Sequence, residues 1–251
     1  MAWFLDAHDP LPLWRPVEPP THALVAATTR RGGVSLPPFD SLNLAASTAD
    51  DPAAVHENRR LLLERLGLDP ARLATAGQVH GPDVADAAAP GVHRSVDALV
   101  TRTPGLALAV AVADCLSLLY VAPAAVAAAH AGWRGTVAGM PRNALHAVCA
   151  RSDAAPQDVR VFMGHGFGPW CYRVGEDVAA RFPSQAVSRD ATGVRVHLAA
   201  AARLQLLESG VPASGIDDPP VCTSCASEWC FSHRRDSGQT GRQWGLVALL
   251  S

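Results

Sequence analysis

Residues 113–135 read ADCLSLLYVAPAAVAAAHAGWRG. The stretch is small and apolar except at Asp114-Cys115, at His130 and at the closing Gly132-Trp133-Arg134-Gly135. Pro123 interrupts it, so the run reads as two adjacent strands folded back on each other. That pairing brings Cys115 and His130 to one end of a sheet. Taken singly, a Cys in an apolar run packs as a small hydrophobe, and a lone His there is an ordinary core residue. A second His in a similar setting, within Gln78-Val79-His80-Gly81, changes the weighting. Two imidazoles and a thiolate are zinc donors. Three protein ligands with one position open form the catalytic pattern, whereas structural sites close with four. His80, Cys115 and His130 are the candidate metal ligands.

The surrounding composition narrows the classes. The chain has 251 residues, 49% of them hydrophobic, enough for a sizeable core. It shows no internal repeat, low-complexity segment or domain linker, so residues 1–251 read as a single domain, with 1–20 as a Pro-rich lead-in. A net charge of −2 supplies no field for nucleic acid or an anionic membrane. All 21 basic residues are Arg, which leaves no lysine for Schiff-base chemistry. Residues 105–133 are apolar enough to imitate a membrane span, but Asp114, Pro123 and His130 break the run into pieces shorter than the roughly 20 residues a span needs. The first ten residues lack the pattern of a secretory signal. A cytoplasmic location is expected, with the six cysteines as thiols or ligands rather than disulfides.

In chain order, residues 22–29 read as a strand and lead into Arg30-Arg31-Gly32-Gly33-Val34-Ser35. Paired glycines permit positive φ, so successive N–H groups can line one concavity. An Arg beside such a turn suits bidentate binding of phosphate or carboxylate. The competing reading is a plain hairpin turn with a solvated Arg. Asp51-Pro52 opens a helix, with Asp as cap and Pro in the first position, and Gly67 stops it. Residues 73–80 read as a strand with His80 at its end. Residues 96–101, 106–113, 116–121 and 126–130 are further strands, and 138–151 a helix whose start, beside Trp133-Arg134, forms an anion site. Another strand covers 159–163, a Gly-rich loop 164–172, a short helix 175–181, and an amphipathic helix 197–209 ended by Gly210.

The tail carries Cys222, Cys225, Cys230 and His233 in a C-x₂-C-x₄-C-x₂-H array. These are four zinc-type donors, but their order departs from the common knuckle, and plain thiols are the favoured reading over a structural zinc. Arg234, Arg235 and Arg242 make a local basic loop, read either as a solvated turn or as a second wall for an anionic substrate.

Taken together the segments resemble one family. TTRRGGVS (28–35), SLNL (41–44), QVHG (78–81), VDALVT (96–101), ADC (113–115), AHAGWRGTVAG (129–139), GPWCYRVGEDV (168–178) and CTSC…FSHRRDSGQTGRQWGL (222–246) follow, in order, the pattern of the purine nucleoside phosphorylase family earlier named multicopper polyphenol oxidoreductases or laccase-domain proteins. Bacterial members have been described as peptidoglycan editing factors. The resemblance implies an α/β (α+β) fold, a layered α/β/β/α sandwich similar to the catalytic fold of the cytotoxic necrotising factor. It implies one zinc on His80, Cys115 and His130 at a site shaped for a nucleoside. It also implies phosphorolysis of adenosine, inosine, guanosine and methylthioadenosine, and deamination of adenosine. The chain departs from the family pattern at Gly164-His165, Arg173 and His197-Leu198.

On this reading Cys115, His130, His80 and Asp114 are the catalytic candidates. Asp114, the carboxylate nearest in sequence, would hold a ligand imidazole or shuttle a proton, although strand alternation points it away from Cys115. Arg30, Gly32, Gly33 and Ser35 would hold phosphate, with Asn43 and Arg134 as further substrate-binding residues. The expected cofactor is zinc, with copper able to displace it. The expected partners are a purine nucleoside and phosphate, with no nucleic acid or membrane, in a monomer or weak homo-oligomer. Three rivals use the same sequence. Copper-dependent phenol oxidation lacks the His-x-His clusters of multicopper centres. A metal-free hydrolase, acting in peptidoglycan editing, would use the Cys115 thiolate as nucleophile beside His130. A non-enzymatic binding module would rest on the 222–233 cysteines.

Overall fold

A computed structural model describes residues 3–7 and 10–250. Its centre is the hairpin expected from the opening stretch. Leu116–Ala122 and Ala125–Ala131 pair antiparallel around the Pro123 turn. Both strands are buried on both faces, which is why they read as continuous apolar runs instead of alternating ones. Alanine is a strong helix former, yet Ala125–Ala131 is a strand. It lies between Leu116–Ala122 and Ala98–Thr101, and tertiary pairing overrides local preference there.

This hairpin lies at the centre of a six-stranded sheet. A seven-stranded sheet packs on one face of it, built around Gln243–Leu249, Ala23–Thr28 and Ala107–Val112. Strand alternation sorts the side chains into layers. Leu119, Val121, Val126, Ala128 and Phe162 point between the sheets to meet Val25, Leu108 and Val247. Leu116, Leu118, Tyr120, Ala127 and Ala129 point the other way, onto helices Met140–Ser152 and Leu198–Glu208. Helix Pro52–Arg65 covers the far face of the larger sheet through Leu62 and Leu63. The result is the expected α/β/β/α sandwich. Each fully buried Leu or Phe contributes about 1.5–3 kcal/mol. A third, three-stranded sheet (residues 173–174, 187–190 and 193–196) stands at the site end of the molecule with its own small core.

The local signals were mostly legible. Asp51 caps the first helix by accepting from the Ala53 N–H, and Pro52 opens it. Residues 3–6 and 13–16 of the Pro-rich lead-in are extended and form a hairpin that continues the larger sheet through Ala23–Thr28, with positions 8 and 9 outside the described residues. Three expectations are corrected. The strand expected to reach His80 ends at Ala76, and residues 77–81 are a loop with left-handed backbone at Gln78 and His80. A separate short helix, Trp133–Val137, precedes Met140–Ser152, where Pro141 sits in the first turn. The helix expected over 175–181 is confined to Glu176–Ala179. Among the described residues no helix is long and apolar enough to cross a membrane.

Candidate active site

The ladder sets the site. His130 stands opposite Ser117 and Ala131 opposite Leu116, so one step further Gly132 faces Cys115. His130 shares the parity of Val126 and Ala128, which turns its ring into the space between the sheets. His80 reaches the same point from its loop. The donor atoms of His80, Cys115 and His130 all lie within 4.8 Å of one another. The two imidazoles meet edge to face, with centroids 4.9 Å apart. Gly132 is required by this closeness: a Cβ there would lie 2.9 Å from Cys115 Sγ and 3.3 Å from His80 Cδ2.

Asp97, one residue before strand Ala98–Thr101, organises the trio. Its fully buried carboxylate accepts the backbone N–H groups of Val79, His80 and Gly81 at 2.8–2.9 Å. It also accepts from His130 Nδ1 at 2.7 Å. These bonds hold the loop in its left-handed turn, where a non-glycine residue is otherwise disfavoured. With Nδ1–H given to Asp97, the Nε2 of His130 is the nitrogen left for a metal, the carboxylate–histidine arrangement typical of zinc ligands. Asp114 does not do this. Its carboxylate accepts from Thr223 Oγ1 at 2.8 Å and from the Arg234 N–H at 2.7 Å, tying the tail to the hairpin.

Burial opposes charge on both Cys115 and His130, but their mutual attraction prevails. Beside His130 and His80 the Cys115 thiol falls to about 6. Beside Cys115 and Asp97 the His130 imidazole rises to about 9. Without metal the two therefore form a thiolate–imidazolium pair near neutral pH. A pre-formed thiolate, an oriented imidazole and a second imidazole fit zinc, and copper fits the same donors.

The trio opens onto a cavity of about 560 Å³, within the range of small-molecule sites. Arg59, Arg242, His233, Ser47 and Gln78 furnish its polar wall, with Trp244 beside them. Arg59 lies over the Trp244 ring and donates to the Leu44 carbonyl. Arg242 donates to the Thr240 and Gly241 carbonyls, and its Nη2 stands 3.3 Å from His233 Nδ1. Burial pushes both guanidiniums below the usual arginine range. The basic tail loop thus supplies one cavity residue, Arg242, as the second-wall reading requires. Arg59 was missed, because on the sequence it is one Arg of a helix face.

The structure places the other candidate residues around this cavity rather than in its lining. Arg30 donates to the Asp40 and Ser227 carbonyls, pairs with the Asp40 carboxylate at 3.3 Å and lies over Phe231. The Gly33 and Val34 N–H groups are given to Ser41 Oγ and Asn58 Oδ1. Gly32 has φ +91°, and a Cβ there would strike the Pro10 carbonyl oxygen. Ser35 Oγ donates to Asp50, as does Asn43 Nδ2. Asn43 Oδ1 accepts from the backbone N–H groups of Arg242 and Ala45, both cavity residues. Arg134 is exposed and stacks on Trp133. In the tail, Cys230 is fully buried and His233 faces Arg242, so the less favoured reading, a quartet with Cys222 and Cys225, does not assemble. Cys171 joins Cys222 and Cys225 instead.

A family model described as multi-copper polyphenol oxidoreductase laccase matches residues 24–250, nearly the whole chain. The chain belongs to this family. Relatives within reach carry a different activity in their names. A purine nucleoside phosphorylase of Deinococcus radiodurans is 41% identical over 230 residues, covering 89% of this chain and 88% of that protein. The purine nucleoside phosphorylase YfiH of Escherichia coli is 35% identical over 240 residues, covering 92% and 96%. The crystal structure of YlmD from Geobacillus stearothermophilus superposes with a TM-score of 0.93 at 35% identity, covering 100% of this chain and 99% of that one. Membership thus accounts for both the sandwich and the order of its motifs.

Proposed function

We propose that this family member is a zinc-dependent purine nucleoside phosphorylase acting on adenosine, inosine, guanosine and methylthioadenosine, with adenosine deamination as a second activity. The observation that carries this reading is the His80–Cys115–His130 trio on the floor of a cavity whose far wall is cationic. The names of the relatives supply the substrate class.

His80 Nε2 or Nδ1, Cys115 Sγ and His130 Nε2 would hold the zinc, which supplies Lewis-acid chemistry at neutral pH. The chain's own groups do the rest. Among the described residues no carboxylate pairs with Arg59 or Arg242 in an ion bridge, so an anion entering the cavity meets unneutralised, half-buried cations. Phosphate held there stands ready to bond C1′ of the nucleoside. As that bond forms, the glycosidic bond breaks and its electron pair leaves with the base. Asp97 keeps the His130 ring and the His80 loop in place throughout. Asn43, anchored through Asp50 and Ser35, holds the Arg242 backbone on the cavity wall. The Arg30–Ser35 turn therefore acts on phosphate from behind that wall.

Cys115→Ala tests the assignment. It should remove both the bound zinc and phosphorolysis, and an active, zinc-loaded variant would overturn it. A second reading draws on the Cys115–His130 ion pair: a hydrolase with thiolate nucleophile, His130 as base and Asp97 as its orienting partner. It predicts turnover without metal and without phosphate.

A further inference from the structure

Outside the cavity the structure gathers a second set of thiols. Two distant loops meet at the three-stranded sheet. Gly166 bridges Cys222, and the Thr223 N–H donates to the Gly166 carbonyl at 3.0 Å. Gly168 packs so closely that a Cβ there would lie 2.9 Å from Cys222 Cβ and 3.3 Å from its Sγ. The turn from Gly168 then places Cys171 over the pair, its N–H donating to the Gly168 carbonyl at 3.1 Å. The Sγ atoms of Cys171, Cys222 and Cys225 all lie within 4.8 Å of one another, with Cys171 and Cys225 at 3.2 Å.

The Ala226 N–H donates to the Cys222 carbonyl at 2.9 Å, which closes the C-x₂-C segment as a turn and brings Cys225 back beside Cys222. Tetrahedral zinc with Zn–S of about 2.3 Å sets its sulfurs about 3.8 Å apart. Cys171 and Cys225, at 3.2 Å, reach that spacing if the exposed Cys225 withdraws by about half an ångström, and Cys222 lies within 4.8 Å of both.

We propose that Cys171, Cys222 and Cys225 form a second metal site, an all-thiolate triad for a thiophilic ion, zinc or copper(I), separate from the His80–Cys115–His130 centre. An all-sulfur donor set selects such ions over harder ones. Three ligands leave one coordination position. A cavity of about 460 Å³ adjoins Cys222, giving that position room for water or an exogenous ligand. The site clamps the loop at 164–172 to the tail at 222–225. That tail runs on to His233 and Arg242 of the first cavity. Binding releases the thiol protons and changes no oxidation state.

Metal stoichiometry tests this independently of catalysis. Full-length protein, stripped with chelator under reductant and reloaded with zinc alone, should bind two equivalents. Cys225→Ser, a change at an exposed residue, should bind one and keep its turnover of nucleoside. Cys115→Ala should also bind one, and the double variant none. Cobalt(II) loaded in place of zinc should give a sulfur-to-metal charge-transfer band about three times as intense in Cys115→Ala as in Cys225→Ser. The proposal is overturned if Cys225→Ser retains the wild-type stoichiometry. It is equally overturned if reduced wild-type protein binds a single equivalent that Cys115→Ala abolishes, or if mass analysis of that protein finds Cys171 and Cys225 joined as a disulfide.

Discussion

Asp97 Oδ1 lies 2.7 Å from His130 Nδ1, and the same carboxylate accepts three consecutive backbone N–H groups from the His80 loop. One buried side chain thereby fixes two of the proposed ligands, which come from segments 50 residues apart. Asp97→Asn keeps the shape but gives up the charge and must present an N–H to one of these donors. We expect a loss of about 3 kcal/mol in unfolding free energy, measured by urea denaturation. Zinc affinity, measured by chelator competition, should fall by about 10- to 100-fold.

Gly132 tests how tightly the three ligands are set. In Gly132→Ala the new methyl has Cys115 Sγ at 2.9 Å and His80 Cδ2 at 3.3 Å. Something must move, and the exposed His80 ring is the least constrained of the neighbours. The variant should fold with near wild-type circular dichroism while losing zinc affinity by at least about tenfold, since a ligand displaced by a few tenths of an ångström leaves the coordination range.

The Cys115–His130 pair fixes a pH dependence. In metal-free protein the Cys115 thiolate forms as pH rises through about 6 and the His130 proton leaves only near 9. The rate of Cys115 alkylation by iodoacetamide should therefore rise through pH 6 and level off by about pH 7.5, well below an ordinary thiol at about 8.5. A lowered thiol pKa stabilises the fold above the unfolded value and loses that contribution as pH falls through 6. A raised imidazole pKa stabilises it below about 6.5 and loses that contribution as pH rises through 9. Zinc must displace the His130 proton, so its affinity should climb between pH 7 and 9.

The cavity wall separates direct from indirect roles. Arg242→Ala should raise the KM for phosphate at least about tenfold with little change in the nucleoside KM. Arg30→Ala removes contacts to Asp40, Ser227 and Phe231 instead. It should lower the melting temperature while leaving a smaller effect on phosphate, read from initial rates at varied phosphate.

The central hairpin was legible because its signals are local. Pro123 marks the turn, and apolar runs of strand length flank it. The grouping of His80, Cys115 and His130 was reached from donor chemistry, and the structure brings their donor atoms within 4.8 Å of one another. Asp97 was quoted within VDALVT but assigned no role, because its partners lie 16–18 and 33 residues away and no spacing rule reaches them. The signal was there: a carboxylate heading an otherwise apolar strand must be paired if buried. The sequence left the Gly32-Gly33 turn open between an anion cradle and a plain turn, and Ser41 and Asn58 take the Gly33 and Val34 amides across the fold. The tail cysteines show the same limit. Cys225 lies closer in sequence to Cys230, but the Gly166–Cys222 bridge delivers Cys171.

The most direct test of the account is product analysis by mass spectrometry. Freshly purified protein, shown to hold zinc, is given adenosine with and without phosphate. The account predicts adenine and ribose 1-phosphate only when phosphate is present, with inosine formed in either case. No turnover under both conditions, in protein with its zinc in place, would contradict it.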